Sequence, residues 1–247
     1  MRPRVKQGIL LVPSLLTTVN AFAGFYALIA AMNGLVYQAG AAILLAMLFD
    51  VLDGQVARYT RSASRFGLEY DALVDLLSFG VAPGILLYTW ALQPHARMGW
   101  LAVFLYVICG ALRLARFNVQ SRPEKAGDFV GLPIPGAAGV VASAVMFFEA
   151  FAPLPAPPAL GVALMAYSLA FLMVSNLGYR SFKKLQLRER KPFHLLVGSV
   201  LLLIIVAAFP HLSLFLGLFA YALSGPVERL WSLTQVRVKR LAKSTED

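Results

Sequence analysis

Eight apolar stretches occupy most of this chain, more than a water-soluble fold of this length can bury. They run over about Leu15–Met32, Gln38–Val56, Leu73–Leu92, Gly99–Ala115, Ile134–Phe151, Leu160–Gly178, His194–Phe209 and Leu212–Trp231. About 20 apolar residues make a helix that crosses the hydrocarbon of a bilayer, where every backbone polar group must be satisfied internally. The expected fold class is therefore an all-α integral membrane protein with about eight transmembrane helices. Composition agrees: 59% of the 247 residues are hydrophobic and 14% charged, against about 45–50% and about 25% in soluble domains. Seventeen Phe, nine Tyr and three Trp exclude a disordered chain. A nucleic-acid binder is excluded because the polar surface that would carry its charge is scarce. Arg2, Arg4 and Lys6 precede an apolar run in the manner of a signal sequence. That run, Ile9–Leu35, is too long for a signal core and contains Pro13, Asn20 and Gly24, so a retained first helix is expected. The single cysteine, Cys109, lies in an apolar run and reads as a small buried hydrophobe.

The charges set an orientation. Net charge is +10, and placing both termini and the even-numbered loops on one side gathers 21 of the 22 basic residues there, leaving Arg97 opposite. Cytoplasmic loops carry the Lys/Arg excess, so both termini are expected in the cytoplasm and the span count is expected to be even. Attraction to anionic lipid head groups accounts for Lys183–Lys191 and the basic tail without any site. The uncharged Ala152–Pro158 linker reads as a stiff hairpin on the far side. One membrane domain spanning 1–247 is expected.

Twelve acidic residues are present, and four of them are aspartates gathered at the adjoining ends of the second and third apolar stretches. Asp50 and Asp53 fall near the end of the second stretch, Asp71 and Asp75 near the start of the third, so antiparallel helices joined by Tyr59–Phe66 place both pairs at one depth. A carboxylate within a membrane costs at least ~2.5 kcal/mol, and four together repel unless a cation lies between them. At about 100° per residue, Asp50, Asp53, Gly54 and Ala57 share one face, and Gly67, Asp71, Asp75 and Ser78 another. All-oxygen ligands suit Mg²⁺, Mn²⁺ or Ca²⁺ rather than zinc. Mg²⁺ commonly shares substrate phosphates, for which Arg58 offers a fork. Two such ions would support an in-line phosphoryl displacement. Two other readings of the acids stand beside this one: a salt-bridge cluster with Arg58, Arg61 and Arg65, and a cation or proton pathway in a transporter. Transport predicts acids spread through the membrane depth; here they cluster at one face.

The order Asp50-x2-Asp53-Gly54-x2-Ala57-Arg58-x8-Gly67-x3-Asp71-x3-Asp75 resembles, at every fixed position, the signature of the CDP-alcohol phosphatidyltransferase family. The resemblance implies a core of six transmembrane helices, a homodimer, and two divalent metals, Mg²⁺ or Mn²⁺, that hold the pyrophosphate of a CDP-lipid. An alcohol hydroxyl then attacks the β-phosphorus and CMP leaves. By the same resemblance Asp50, Asp53 and Asp71 are metal ligands, and Asp75 contacts the second metal and serves as catalytic base for the hydroxyl. Gly54 admits the cytidine to the helix backbone, Arg58 contacts phosphate, and Ser64 offers a hydroxyl to the nucleotide, with Thr60 and Ser62 in the same loop.

Three further segments resemble the phosphatidylserine synthase branch: Pro13–Gly24, Leu76–Tyr88, and Ala111–Val119 together with Phe129–Gly139. With the signature they cover most of residues 13–139, the expected catalytic region; residues 140–247 add further spans and a basic tail. Ser14 departs from the branch, which carries Asn there. This resemblance implies CDP-diacylglycerol and L-serine as substrates and a site at the cytoplasmic face of the inner membrane. Arg113, Arg116 and Asn118, at the cytoplasmic end of the fourth span, are candidates for the serine pocket, and positive-inside anchoring explains the two arginines equally. Glycerol 3-phosphate, inositol or inositol phosphate are alternative acceptors, since Arg122 and Lys125 could meet an added phosphate. Asn20 is expected to make a helix–helix hydrogen bond, and Gly131–Gly136 to break a helix entry where the backbone is buried or lines a cavity. No chemistry is assigned to His95, His194 or His211.

Overall fold

The computed structural model describes residues 7–60, 64–119, 128–151, 157–180, 204 and 206–243. The expected span His194–Phe209 lies almost wholly outside them, as do the N-terminal basic residues, Arg61, Arg122, Lys125, most of the 152–158 linker and the basic run after Arg180. The described chain is almost entirely helical. Five helices are long and apolar enough to cross a membrane: Pro13–Met32, Val36–Thr60, Arg65–His95, Arg97–Val119 and Pro210–Arg229. Ile134–Ala150 and Ala159–Val174 are apolar but shorter. Large apolar side chains such as Phe22, Leu48, Phe104, Leu160 and Phe171 remain exposed around the bundle, as lipid rather than water requires. The chain is an all-α integral membrane protein.

α1 (Gln7–Met32) and α2 (Val36–Thr60) form a tight antiparallel pair. Gly34 turns the chain at φ +75°, a left-handed conformation that favours glycine. The pair closes on small residues: Ala23, Ala27, Ala30 and Ala31 are buried against a helix that buries Ala39, Ala42 and Ala46. Small side chains let transmembrane backbones approach and gain dispersion contacts.

The third expected span starts earlier than the apolar pattern placed it. α3 (Arg65–Asp75) begins at Ser64, whose side chain caps the helix by accepting from the Gly67 N–H. The apolar pattern missed these turns because Arg65, Glu69 and Asp71 interrupt it, whereas a cap depends on a hydroxyl at the N-terminus rather than on apolarity. A π-helical turn, Leu76–Val81, follows Asp75 directly and leads into α4 (Ala82–Leu87). Pro83 explains the widening: it has no N–H for the Phe79 carbonyl four residues back. The buried Tyr106 hydroxyl donates to that carbonyl instead, at 3.1 Å. A second π turn (Tyr88–Leu92) and a short 3₁₀ turn (Gln93–His95) complete this helix.

α5 (Ala96–Val119) packs on α7 (Ala159–Val174). α6 (Ile134–Ala150) is the central post: nearly every residue from Ile134 to Val145 is buried, against α2 on one side and α8 (Pro210–Lys243) on another. α8 extends the expected Leu212–Trp231 span through residues that the sequence had assigned to a tail. A two-stranded antiparallel ribbon, β1 (Asp128–Val130) with β2 (Gly178–Arg180), was not foreseen; three-residue strands carry too little periodicity to read. It sits beside the helix entry that was expected to be broken. There Gly131 adopts φ +80°, and the Gly131 and Leu132 N–H groups donate to the Leu177 and Leu172 carbonyls. Irregular backbone is thus satisfied by protein, as a membrane demands.

Candidate active site

The site lies between the C-terminal half of α2 and the last turns of α3, with α1 packed against both. Asp50, Asp53 and Asp71 bring carboxylate oxygens within 4.8 Å of one another. Asp75, one turn past Asp71 along α3, neighbours Asp50. One oxygen each of Asp71 and Asp75 is buried with no hydrogen-bond partner among the described residues. Buried polar atoms are normally paired, and an exception calls for an explanation. Hard divalent cations supply one, because they bind carboxylate oxygens at about 2.0–2.6 Å and neutralise the mutual repulsion. Donor type, spacing and unpartnered oxygens fit such a cation. Carboxylates from both expected pairs thus come together.

α1 contributes a residue that the sequence reading missed. Thr17 is 4% exposed and its hydroxyl donates to Asp53 Oδ2 at 2.8 Å. The signal was available, because Thr17, Asn20 and Gly24 follow i, i+3, i+7 spacing along one helix face. One turn deeper, Asn20 corrects an expectation: its fully buried side-chain amide has no partner among the described residues, so it makes no helix–helix hydrogen bond. Its backbone carbonyl instead accepts from Ser78 Oγ at 3.3 Å. At this level α1 is pressed so close that a Cβ on Gly24 would overlap Ser78. Proximity of backbones, rather than amide pairing, joins the helices here.

The remaining candidates are distributed unevenly. Arg58 is exposed on the last turn of α2 and folds its guanidinium over Gly54, where a Cβ would lie 3.5 Å from Nη1. That is ordinary contact, so packing within the chain does not itself require glycine at position 54. Ser64 is exposed, and its oxygen is engaged by the Gly67 N–H at 2.9 Å. Arg113 is 9% exposed, lies over the Phe117 ring at 5.6 Å from its centroid, and its charge acts on Asp75 and Asp50. Arg116 turns aside and donates to Asn176 Oδ1 at 2.9 Å. Asn118 is exposed on a different face of α5. Of the three residues proposed for the acceptor, the fold brings Arg113 alone to the acids.

Comparison with known proteins agrees with this geometry. The family model for CDP-alcohol phosphatidyltransferases matches residues 10–174. A CDP-diacylglycerol–serine O-phosphatidyltransferase of Helicobacter pylori (strain ATCC 700392 / 26695) is 33% identical over 226 residues, 92% of this chain and 94% of that protein. The archaetidylserine synthase of Methanothermobacter thermautotrophicus is 38% identical over 171 residues, 68% of each chain. A CDP-diacylglycerol–serine O-phosphatidyltransferase of Bacillus subtilis is 34% identical over 173 residues, 70% of this chain and 92% of that one. With the signature acids gathered where two membrane helices meet, and with relatives that match most of its length, this chain belongs to the CDP-alcohol phosphatidyltransferase family.

Proposed function

We propose that this protein transfers the phosphatidyl group of CDP-diacylglycerol to the hydroxyl of L-serine, giving phosphatidylserine and CMP in phospholipid biosynthesis. The observation that carries the reading is the convergence of the Asp50, Asp53 and Asp71 carboxylates, with Asp75 neighbouring Asp50, Arg58 over Gly54, and the Arg113 charge acting on Asp75 and Asp50. The acceptor follows from the relatives, whose names carry serine.

Asp50, Asp53, Asp71 and Asp75 hold Mg²⁺ or Mn²⁺, two ions in this reading. Such cations neutralise pyrophosphate charge and polarise the phosphorus–oxygen bond that breaks. Thr17 fixes Asp53 in the orientation its ligand needs. Gly54 leaves the α2 backbone open to the nucleotide, which is consistent with a glycine that no neighbouring side chain demands. Arg58 meets phosphate oxygens, and Ser64 lies beside the nucleotide while capping α3. Asp75 takes the proton of the serine hydroxyl as its oxygen bonds to the β-phosphorus and the bond to CMP breaks. The base works by position as much as by basicity, since it must reach that proton. Burial at the membrane surface limits access of water, which would otherwise compete as acceptor. The whole chain forms one membrane domain, works as a homodimer in the inner membrane, and faces the cytoplasm with this site. The basic residues clustered at that end support the orientation.

The test is turnover by purified protein given CDP-diacylglycerol, Mn²⁺ and one alcohol at a time, with CMP release and lipid identity followed. Serine should give phosphatidylserine; product with glycerol 3-phosphate or inositol and none with serine would overturn the acceptor. Asp75→Asn should abolish turnover and retain nucleotide binding.

A further inference from the structure

Four buried side-chain polar atoms have no hydrogen-bond partner among the described residues, and they belong to Asn20, Asp71 and Asp75 alone. The two on Asn20 are the whole polar part of its amide, Nδ2 and Oδ1, on a residue with no exposed surface. A buried amide that bonds to nothing is costly, and an apolar side chain of the same size would avoid the penalty. Such an exception calls for a ligand that the amide meets.

Contacts on two sides fix the level of Asn20 in the bundle. On the α2 side, Thr17 donates to Asp53 at 2.8 Å. The two helices run antiparallel about the turn at Gly34. Three residues forward along α1 therefore match three residues back along α2, and Asn20 comes level with Asp50. The same register sets buried Ala27 level with buried Ile43, and buried Ala31 level with buried Ala39, so it holds along the pair. On the α3 side the chains run in the same direction. Thr18 bonds to the Tyr70 hydroxyl at 3.1 Å, and further along both helices Ser78 donates to the Asn20 carbonyl at 3.3 Å. Ser78 also lies so close to Gly24 that a Cβ there would overlap it. Asp75 precedes Ser78 by one turn and Asn20 precedes Gly24 by one turn, so Asn20 is level with Asp75 as well. Thr17 and Asn20 share the buried face of α1, about 60° apart around the helix. Asp50 in turn belongs to the trio whose carboxylate oxygens gather within 4.8 Å of one another.

We propose that Asn20 is a further metal ligand, its side-chain carbonyl adding a neutral oxygen to the hard-cation site of the four aspartates. Hard cations take amide carbonyls together with carboxylates, and octahedral all-oxygen sites suit Mg²⁺ and Mn²⁺. A neutral oxygen raises the number of ligands without adding a fifth negative charge to a buried cluster. The amide nitrogen finds acceptors in the same cluster, since ionised carboxylates only accept hydrogen bonds. Thr17 and Asn20 thus serve one site from consecutive turns of α1, the first by orienting a ligand and the second by being one. The inference rests on the cation reading of the acids given above.

Calorimetric Mn²⁺ titration of the full-length protein in detergent, without lipid or serine, tests it. Asn20→Leu removes both polar atoms at similar size. It should weaken Mn²⁺ binding at least about tenfold, since even residues that only orient a ligand contribute that much. In metal-free buffer its melting temperature should equal or exceed the wild-type value, because the unsatisfied amide is gone. The rise in melting temperature that Mn²⁺ produces should shrink. Asn20→Asp keeps an oxygen at the position and should bind Mn²⁺ more tightly than Asn20→Leu. Asn20→Ala carries the same comparison if Asn20→Leu does not fold. Wild-type Mn²⁺ affinity without the amide, or no recovery in Asn20→Asp, would overturn the assignment and leave Asn20 a packing residue. A wild-type protein that binds no Mn²⁺ sinks the cation reading itself, which is a separate result.

Discussion

Thr17 shows how a residue outside the signature can govern it. Its hydroxyl holds one oxygen of Asp53 inside a buried contact, and a hydrogen bond to a charged acceptor contributes about 1.5–3 kcal/mol. Thr17→Val preserves shape and removes the donor, so the Mn²⁺ concentration for half-maximal turnover should rise about tenfold, measured by metal titration of activity. Asp71→Asn removes one of three converging carboxylates and should abolish metal-dependent CMP release; calorimetric Mn²⁺ titration should show the weakened site directly. At Gly24 the constraint is steric. Even a methyl group meets Ser78, and overpacking typically costs about 1–3 kcal/mol. Gly24→Ala should therefore lower the melting temperature in detergent, with Gly217→Ala as a control, since nothing lies near a Cβ at position 217. The signature acids were legible residue by residue because charge in an apolar stretch needs a reason. Thr17 and Asn20 were not, since a hydroxyl or an amide in a membrane helix has many uses and only neighbours choose between them.

At the scale of elements, the third membrane helix and the ribbon carry the lesson. The sequence marks Pro83 as a break, but an open π turn and the Tyr106 hydroxyl that satisfies Phe79 depend on α5 arriving alongside. Tyr106→Phe would strand a buried carbonyl, a loss of about 1–3 kcal/mol, and should appear as reduced thermal stability. Gly131 is more demanding still, because its φ of +80° and its contact with the Met173 carbonyl leave no place for a side chain. Gly131→Ala should destabilise by more than about 2 kcal/mol, combining the left-handed penalty with displacement of α7. Thermal unfolding of the detergent-solubilised variant would measure it. The apolar runs foretold where helices lie, while their ends shifted by a turn or more, at Ser64 and again along α8, since caps and packing set ends and hydropathy does not.

The bundle as a whole has a polarity of its own. Asp53, Arg58, Arg113 and the ribbon lie at one end; Tyr37 bonds to His211 and Phe147 stacks on Phe215 toward the other. Arg97 and Arg116 sit at opposite ends of α5. Single cysteines introduced on a cysteine-free Cys109→Ala background should label from the cytoplasm at Arg65 and from the opposite side at Arg97. Labelling of position 65 from outside would invert the orientation.

The sequence by itself determined the class of protein and the gathering of the acids, and it set the expectation of a hard cation among them. Hydropathy and charge act locally on each residue and carry through any packing. Tertiary structure decided which polar residues lie together: Thr17 joins Asp53, and Arg113 is buried near the acids while Arg116 bonds to Asn176. These choices depend on helix rotation and on the gaps left by Gly24, Gly110, Gly136 and Gly225. Such gaps are empty volume, and volume has meaning only once a second helix fills it.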